Sequence, residues 1–445
     1  MRIIAHSKSC ALASALAAMI ITPAYARSPA PSATAQPAEA ASQSLPTSDA
    51  AHDWQKFADE LGKAGMRIHA MTDANRSPEQ QAEVNQALMW ALSSASLSFA
   101  RLDPDYPDWV PILNSAMLGI NGNQDNVYQI TRIRGDGTYR IEGDRGRLKH
   151  LFIELTNGLP GFTDKSTHIG IYDLNEMKAD AAGHFELVMS PQRPAGYSGN
   201  WIALDSTAAD TFISVRHVSY DWRHDRDANL SIQRIDRPIN LPRRTAPDTS
   251  KRLAGIPRYV ENMLSEFVRI QDRQGFMRGE VNVLKDGTPG FGKNMSSTNI
   301  TQQAYYMGAV HLSRDQALVL VGVIPTSCDY WSVMLMDTVA NPLDYMFRQS
   351  GLNGYVARVD PDGKVRIVVS ERDPGVENWV DKSSYELNGI RGRFYKCGTP
   401  SWTSKVVPMS ALSSALYPGT PQVTADQRQQ ALRERIELVQ HRRRW

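Results

Sequence analysis

Two groups of polar residues have the types that acid–base chemistry requires. The first group is Asp373, Asp381 and Arg393. Two carboxylates beside an arginine can transfer protons, or can orient a sugar or carboxylate ligand. The alternative is structural, because Asp373 precedes Pro374-Gly375 and an aspartate in such a turn bonds the local backbone. The sequence leaves both interpretations open.

The second group lies on residues 211–222, which are predicted to form one strand. Alternate residues of a strand share a face, so His217, Ser219 and Asp221 would form a patch suited to proton transfer. Arg216 would point to the opposite face. A solvated strand face explains the same pattern, and the sequence does not decide between the two.

Two Asn-Trp dipeptides, Asn200-Trp201 and Asn378-Trp379, indicate ligand contacts together with Arg216. Indole rings pack against the apolar faces of sugars, while Asn and Arg bind hydroxyl groups. The competing interpretation places both tryptophans in the core at equivalent strand ends.

Other motifs argue against a metal or an organic cofactor. The ten histidines and three cysteines show no metal-binding spacing. The sequence has no P-loop, no dinucleotide fingerprint and no G-x-S-x-G, and residues 287–292 are predicted to be a glycine-rich surface loop. Cys328 and Cys397 predict either a disulfide or two buried thiols.

The first 26 residues have the pattern of a secretory signal peptide. A basic start precedes an apolar run at residues 10–21, and Ala24-Tyr25-Ala26 forms a small-x-small cleavage site. The run is short for a membrane span. We therefore expect a periplasmic or secreted chain, cleaved near Ala26, without an integral membrane segment.

Charge gives few clues to partners. Cleavage would remove Arg2 and Lys8, leaving 49 − 2 = 47 Lys+Arg against 47 Asp+Glu. A balanced chain is not expected to bind nucleic acid. A basic cluster near the C-terminus predicts a solvated helix face, or a weak contact with an anionic surface; it comprises Arg428, Arg433, Arg435, Arg442, Arg443 and Arg444.

Periodicity divides the remaining chain. Residues 27–51 are predicted to be a disordered tether and 52–122 a helical lead-in. Residues 123–240 and 301–408 predict two β modules separated by a helical connector at 241–300, with a helical tail at 409–445. The predicted fold is mainly β with helical additions (α+β), built on two related antiparallel, jelly-roll-like β-sandwiches.

An internal repeat supports two related modules. Residues 180–190, followed by Asn200-Trp201, parallel residues 360–370, followed by Asn378-Trp379, at offsets of 180 and 178. Shifts of 177 to 179 residues pair Gly143 with Gly322, Phe152 with Trp331, Tyr128 with Tyr306 and Arg216 with Arg393. Ordered matches of this kind predict duplication of one β unit, and interfaces between modules are favoured ligand sites.

These segments resemble a bacterial family known as domain of unknown function 1214. The resemblance is carried by residues 124–128, 139–143 and 391–393, and most specifically by the run Asp373-Pro374-Gly375-Val376-Glu377-Asn378-Trp379. It covers most of residues 53–445. It implies β-sandwich modules with helical additions, often in exported proteins, and implies no agreed activity or cofactor.

Two functions from different classes therefore remain. The first is an exported protein that binds a glycan or an amphiphilic small molecule between the two β modules. The second is an exported hydrolase, lyase or isomerase that uses Asp, His and Arg side chains without a cofactor. The sequence predicts neither the substrate nor the oligomeric state.

Overall fold

The computed structural model describes residues 48–72, 76–119, 121–159, 162–163, 165–273, 281–286 and 302–442. The predicted signal peptide and the glycine-rich loop at 287–292 lie outside these residues, as does the predicted tether as far as residue 47. The first helix already begins at Asp49.

Four helices are described: α1 Asp49–Thr72, α2 Pro78–Arg101, α3 Ala246–Arg273 and α4 Ala425–His441. The sequence places Ser77 before a proline and three residues ahead of Gln80, which is the pattern of a capping box. The structure confirms that box at the start of α2. Helices α1 and α2 pack on α3 through buried apolar side chains such as Ile68, Val84 and Val260.

The first module has nine strands in two sheets, ordered β1-β2-β8-β4-β5 and β7-β6-β3-β9. The strands are β1 Val110–Leu113, β2 Asn126–Ile133, β3 Tyr139–Asp144, β4 His150–Asn157, β5 Thr167–Asp173, β6 His184–Ser190, β7 Asn200–Ala203, β8 Thr211–Val218 and β9 Asn229–Arg234.

The second module has nine described strands in sheets ordered β10-β11-β17-β13-β14 and β16-β15-β12-β18. The strands are β10 Lys285–Asp286, β11 Gln303–His311, β12 Gln316–Val323, β13 Tyr330–Met336, β14 Gly351–Asn353, β15 Val365–Ser370, β16 Trp379–Asp381, β17 Leu387–Tyr395 and β18 Ser401–Pro408.

The two modules have the same topology. Adding nine to each strand number of the first module reproduces both sheet orders of the second. Even the exceptional parallel pair recurs, as β6 with β7 and β15 with β16. The structure thus shows the predicted mainly β fold with two matching modules and helical additions.

Each module is a sandwich with an apolar core between its two sheets. In the first module the core contains Ile141, Ile153 and Val215 from three different strands. In the second it contains Leu320, Val333 and Phe394. Because strand residues alternate between faces, the opposite faces of the two five-stranded sheets are left to pack elsewhere.

The sequence predicts the wrong end for one strand. Strand β8 ends at Val218, not at Trp222, because the chain turns at residues 221–225, where the backbone N–H of Asp225 donates to the Asp221 carbonyl (N···O 2.8 Å). Among the residues that the structure describes, no helix is both long and apolar enough to cross a bilayer.

Candidate ligand site between the two modules

The outer faces of the two five-stranded sheets contact one another. Phe152 and Val218 of the first module pack with Tyr330 and Tyr395 of the second in one buried cluster. The rings of Phe152 and Tyr395 meet edge to face with centroids 5.4 Å apart. We call this contact the intermodule interface; its polar members are Tyr128, Glu154 and Arg216 from the first module and Tyr305, Arg391 and Arg393 from the second.

A tyrosine stands beside an arginine on each side of the intermodule interface. Tyr128 is the strand partner of Arg216, and Tyr305 is the strand partner of Arg393. Both members are shifted by the same number of residues, since 305 − 128 = 177 and 393 − 216 = 177. The duplicated unit therefore brings the same Tyr–Arg pair to the interface twice.

This register corrects two pairings predicted from the sequence. Tyr128 corresponds to Tyr305 and not to Tyr306, which belongs to the inner core of the second module. Phe152 likewise corresponds to Ser332 and not to Trp331, because each is the strand partner of the equivalent arginine. A slip of one residue reverses the face of a strand, so the sequence comparison had paired an outer residue with an inner one.

The first module's arginine has a carboxylate partner. Arg216 is buried and donates from Nη2 to Glu154. Burial opposes its charge, but the adjacent Glu154 keeps the pKa of Arg216 above its ordinary value. The guanidinium also lies 5.8 Å from the centre of the Tyr128 ring, and Asn126 Nδ2 donates to the Tyr128 hydroxyl at 3.0 Å.

Several atoms on this side have no hydrogen-bond partner among the described residues. They are Arg216 Nε, Glu154 Oε1 and Asn126 Oδ1, all of them buried. Glu154 Oε1 is 3.5 Å from Nδ1 of His168. Buried polar groups in folded proteins are nearly always bonded, to protein, to ordered water or to another bound group.

The second module's arginine has different neighbours. Arg393 is 6% exposed, and its Nη2 donates to the carbonyls of Asn121 (2.9 Å) and Gly122 (3.2 Å). Its Nη1 is 3.2 Å from the sulfur of Met334. Among the described residues no carboxylate pairs with it. Arg391 lies two residues away on the same face, and burial together with Arg393 lowers the pKa of Arg391 to about 9.

Tyr305 links the two sides electrostatically. Burial raises the pKa of its hydroxyl, while Arg216 from one module and Arg393 from the other oppose that rise. Both arginines are therefore close enough to act on one phenol. Guanidinium and phenol groups together can bind carboxylate, phosphate or hydroxyl oxygens.

A second buried polar group joins the modules next to this site. Asp125 accepts hydrogen bonds from Tyr330 (2.8 Å), Asn353 (2.9 Å) and Trp222 (2.9 Å). Burial raises the pKa of Asp125. Its only signal in the sequence was its place in the family resemblance at 124–128, so reasoning from residue types alone missed it.

The predicted acid–base group of Asp373, Asp381 and Arg393 is divided among separate contacts. Asp373 accepts from the N–H of Gly375 (2.8 Å) and from Arg428 (2.9 Å), as a turn residue does. Asp381 accepts from the N–H of Ser383 (2.7 Å) and from Arg348 (3.1 Å). Arg393 lies instead on the outer face of its five-stranded sheet, within the intermodule interface.

The predicted His217–Asp221 patch is also separated. His217 is fully buried on the inner face of its sheet, where its Nδ1 accepts from the N–H of Ala228 (3.1 Å). The proton is therefore assigned to Nε2, which lies 3.1 Å from Gln129 Oε1. Asp221 lies beyond the end of β8 and contacts His224 at 2.6 Å. Of this second group only Arg216 reaches the intermodule interface.

The two predicted Asn residues make matching contacts inside their own modules. The side chain of Asn200 accepts from the N–H of Lys178 (2.9 Å) and donates to its carbonyl (2.8 Å). The side chain of Asn378 makes the same two bonds with Arg358 (2.8 and 2.7 Å). Each thereby closes the same loop. Closing this loop is a structural reason for an asparagine at both positions. The role of the two asparagines as ligand contacts stays a prediction.

The neighbouring tryptophans also bond within their modules. Trp201 Nε1 donates to the Ser190 hydroxyl (3.0 Å), and Trp379 Nε1 donates to the Ser370 carbonyl (3.3 Å). Ser190 and Ser370 are themselves equivalent by the 180-residue offset. The two indoles thus anchor the same strand end in each sandwich.

The cysteines and the C-terminal arginines have structural positions. Cys328 and Cys397 form a disulfide in the second module.

Arg428, Arg435 and Arg442 are spaced by seven residues, which puts them on one side of α4 and just beyond its end. They turn toward the protein, so a solvated face is wrong for these three; Arg433 is exposed, and Arg443 and Arg444 lie outside the described residues.

Helix α4 uses those arginines to bind both modules. Arg428 pairs with Asp373 of the second module. Arg435 donates to Gln124 Oε1 (2.9 Å), and Arg442 donates to the carbonyls of Gln124 (3.1 Å) and Asp125 (3.0 Å). No group of three His, Cys, Asp or Glu residues suited to a metal ion occurs among the described residues.

The fold and the interface define a two-module β-sandwich protein, and comparison with known proteins gives a family match over part of its second module. Residues 311–398 match the family described as protein of unknown function (DUF1214), which confirms the resemblance predicted from the sequence over that segment. An uncharacterised protein from Burkholderia cenocepacia is similar in structure, with a TM-score of 0.72 and 25% identity, over 81% of this chain and 98% of that one.

A protein from Vibrio parahaemolyticus matches with a TM-score of 0.41 and 10% identity, over 73% of this chain and 98% of that one. No curated protein sequence matches this chain. The similarity to the Burkholderia cenocepacia protein supports the two-module β fold.

Proposed function

We propose that this protein is exported to the periplasm or secreted, and that it binds a glycan or an amphiphilic small molecule between its two β modules. The export half rests on the signal-peptide pattern at residues 1–26. The binding half rests on one observation: equivalent Tyr–Arg pairs from both modules meet, buried, at the intermodule interface.

The energetic argument is that these pairs are a poor way to join two sandwiches. Burying ionised and unbonded polar groups costs free energy, and apolar residues of similar volume would hold the modules at least as well. The same interface shows that alternative, since Phe152, Val218 and Tyr395 pack there without charge. Local violations of folding rules are typical of functional sites.

Binding is favoured over catalysis because the predicted catalytic groups are not assembled. Asp373 and Asp381 bond turn backbone, and His217 lies inside a core. Glu154, the carboxylate that does reach the interface, is paired with Arg216. The groups predicted from the sequence therefore do not bring a free base and an acid to the distance that proton transfer needs.

The test is ligand binding by the mature chain and by a double variant. Intrinsic fluorescence and thermal unfolding would be followed with a panel of neutral and charged glycans and amphiphiles. We expect at least one class to raise the unfolding temperature, because a ligand that binds only the folded state stabilises it. Tyr128→Phe/Tyr305→Phe should weaken that ligand about three- to tenfold for each lost hydroxyl bond.

The matched control is Tyr197→Phe. Tyr197 lies between β6 and β7, where its hydroxyl bonds Glu186 at 3.0 Å, away from the intermodule interface. This variant should bind as the unmodified chain does. The proposal fails if no panel member binds, or if affinity is unchanged in the Tyr128/Tyr305 double variant.

A further inference from the structure

Strand register shows how the two sides of the interface differ in charge. Glu154 is the partner of Ser214 on β8, and Met334 is the partner of Arg391 on β17. Because Arg216 and Arg393 are equivalent, Glu154 is equivalent to Met334, and Ser214 to Arg391. The second module therefore has a thioether where the first has a carboxylate, and a second arginine where the first has a serine.

The side-chain contacts agree with this correspondence. In the first module Arg216 donates to the Glu154 carboxylate. In the second module Arg393 makes the same diagonal contact with the sulfur of Met334, at 3.2 Å. One contact is thus preserved in place while its acceptor changes from an anion to a neutral, weak acceptor.

Among the residues that the structure describes, Arg393 therefore lacks the counter-charge that its equivalent has. Its remaining described bonds go to the neutral carbonyls of Asn121 and Gly122, and it is nine-tenths buried. A guanidinium has five N–H donors and suits planar anionic oxygens. An incoming anion would supply Arg393 with the counter-charge that Glu154 supplies to Arg216.

We propose that the ligand held between the modules carries an anionic group, a carboxylate or a phosphate, that binds Arg393 and gives it the counter-charge that Glu154 gives Arg216. This inference rests on the proposed binding function and names the ligand class. The rest of the ligand lies toward Met334, Met336 and Ala340, which form a buried apolar cluster. The ligand is therefore an anionic amphiphile.

The first experiment compares ligands that differ only in the head group. Decanoic acid, decyl phosphate and decanol would be titrated into the mature chain by isothermal calorimetry, with glucuronic acid and glucose as the glycan pair. We expect an acid or phosphate to bind at least about tenfold more tightly than its neutral counterpart, as charge-assisted bonds to arginine imply. Comparing decanoic acid with decyl phosphate shows whether the anionic group is a carboxylate or a phosphate.

The second experiment supplies the missing carboxylate from the protein. Met334→Glu recreates in the second module the partner that Arg216 has in the first, so it should remove the preference for the anionic ligand. Met334→Gln has similar size without charge and should keep that preference. Arg393→Lys keeps the charge but not the planar fork, so part of the preference should remain.

A buried-arginine control separates folding from binding. Arg428→Gln removes an equally buried arginine whose partner is Asp373, away from the interface, and should lower the unfolding temperature without changing the head-group preference. Equal affinity for acid and alcohol would overturn the anion inference and leave the binding function standing. Absence of binding by every ligand would overturn both, and a preference that persists in Met334→Glu would overturn the role of Arg393.

Discussion

Arg216 and Arg393 occupy equivalent places in two modules that have the same strand order, yet their surroundings differ. Arg216 has Glu154, whereas Arg393 has Met334 and two backbone carbonyls. Both are buried at the same interface. The difference teaches that the fold does not require the carboxylate, since the second module forms the same sheet without it.

Contacts that hold each sandwich together show the opposite behaviour. Asn200 and Asn378 hold equivalent loops with nearly identical distances, and Gly143 and Gly322 occupy equivalent crowded sites on β3 and β12. A Cβ on Gly143 would lie 1.9 Å from the Asn229 carbonyl oxygen, and one on Gly322 would lie 2.6 Å from the Trp402 ring. The modules thus agree where folding demands it and differ at the interface.

The largest effect is expected from making the first module resemble the second. Glu154→Met would leave Arg216 buried without its carboxylate. Removing one partner of a buried ion pair typically lowers the free energy of unfolding by about 3–5 kcal/mol. Urea denaturation followed by circular dichroism would measure the change.

Two variants control for that result. Glu142→Met removes a partly exposed glutamate on β3 and should cost less than about 1 kcal/mol. Glu154→Met/Arg216→Met removes both charges and should recover part of the loss, because apolar replacements of buried pairs are often tolerated. A Glu154→Met protein as stable as the unmodified chain would show that Arg216 needs no counter-charge.

The disulfide is the next largest difference between the modules. Cys328 and Cys397 are separated by 69 residues in the second module. Opening a loop of this length should lower the free energy of unfolding by about 2–5 kcal/mol. The comparison is between oxidised protein and the Cys328→Ala/Cys397→Ala variant in denaturant.

Reducing agent provides the control. It should lower the stability of the unmodified protein to that of the double variant, and should leave the double variant unchanged. A denaturation midpoint that does not respond to reduction would argue that the cross-link contributes nothing.

Much of the architecture could be predicted from the sequence because it depends on local patterns. Capping at Ser77, alternating strands and the repeat at 180–190 and 360–370 all act over short distances along the chain. Register could not be predicted to within one residue, and that single residue decides the face. Tyr128 was therefore paired with Tyr306 and not with Tyr305.

The candidate site was predicted only in part, for a physical reason. The sequence predicts Arg216 and Arg393 as members of two separate polar groups and pairs them through the repeat, but it does not bring them to one interface. Glu154 and Tyr305 were not selected, because ordinary strand residues become a site only when two sheets turn their outer faces together. That contact joins residues far apart in sequence, and no local spacing records it.

Equivalent effects are expected where the modules agree. Asn200→Ala and Asn378→Ala each remove the side-chain bonds that hold one loop, at Lys178 and Arg358 respectively. Each should lower the free energy of unfolding by about 1–3 kcal/mol, because backbone groups lose their partners. A large difference between the two losses would contradict the correspondence, and a changed ligand affinity would support the predicted role of these asparagines as ligand contacts.

The smallest effect concerns pH and the junction at Asp125. Burial raises the pKa of this carboxyl above 3.8 in the folded protein, and an acid with a higher pKa when folded binds its proton more tightly in that state. Its contribution to stability is therefore present at low pH and is lost as pH rises from the ordinary carboxyl pKa through the raised one. Asp125→Asn should flatten this decline, because an amide can still accept from Trp222 and Asn353 and does not ionise. Exposed Asp315→Asn should leave the pH profile as it is. An unchanged profile in Asp125→Asn would mean that the bonds from Tyr330, Asn353 and Trp222 fully offset burial, so that this junction, unlike Arg393, already has all the partners it needs.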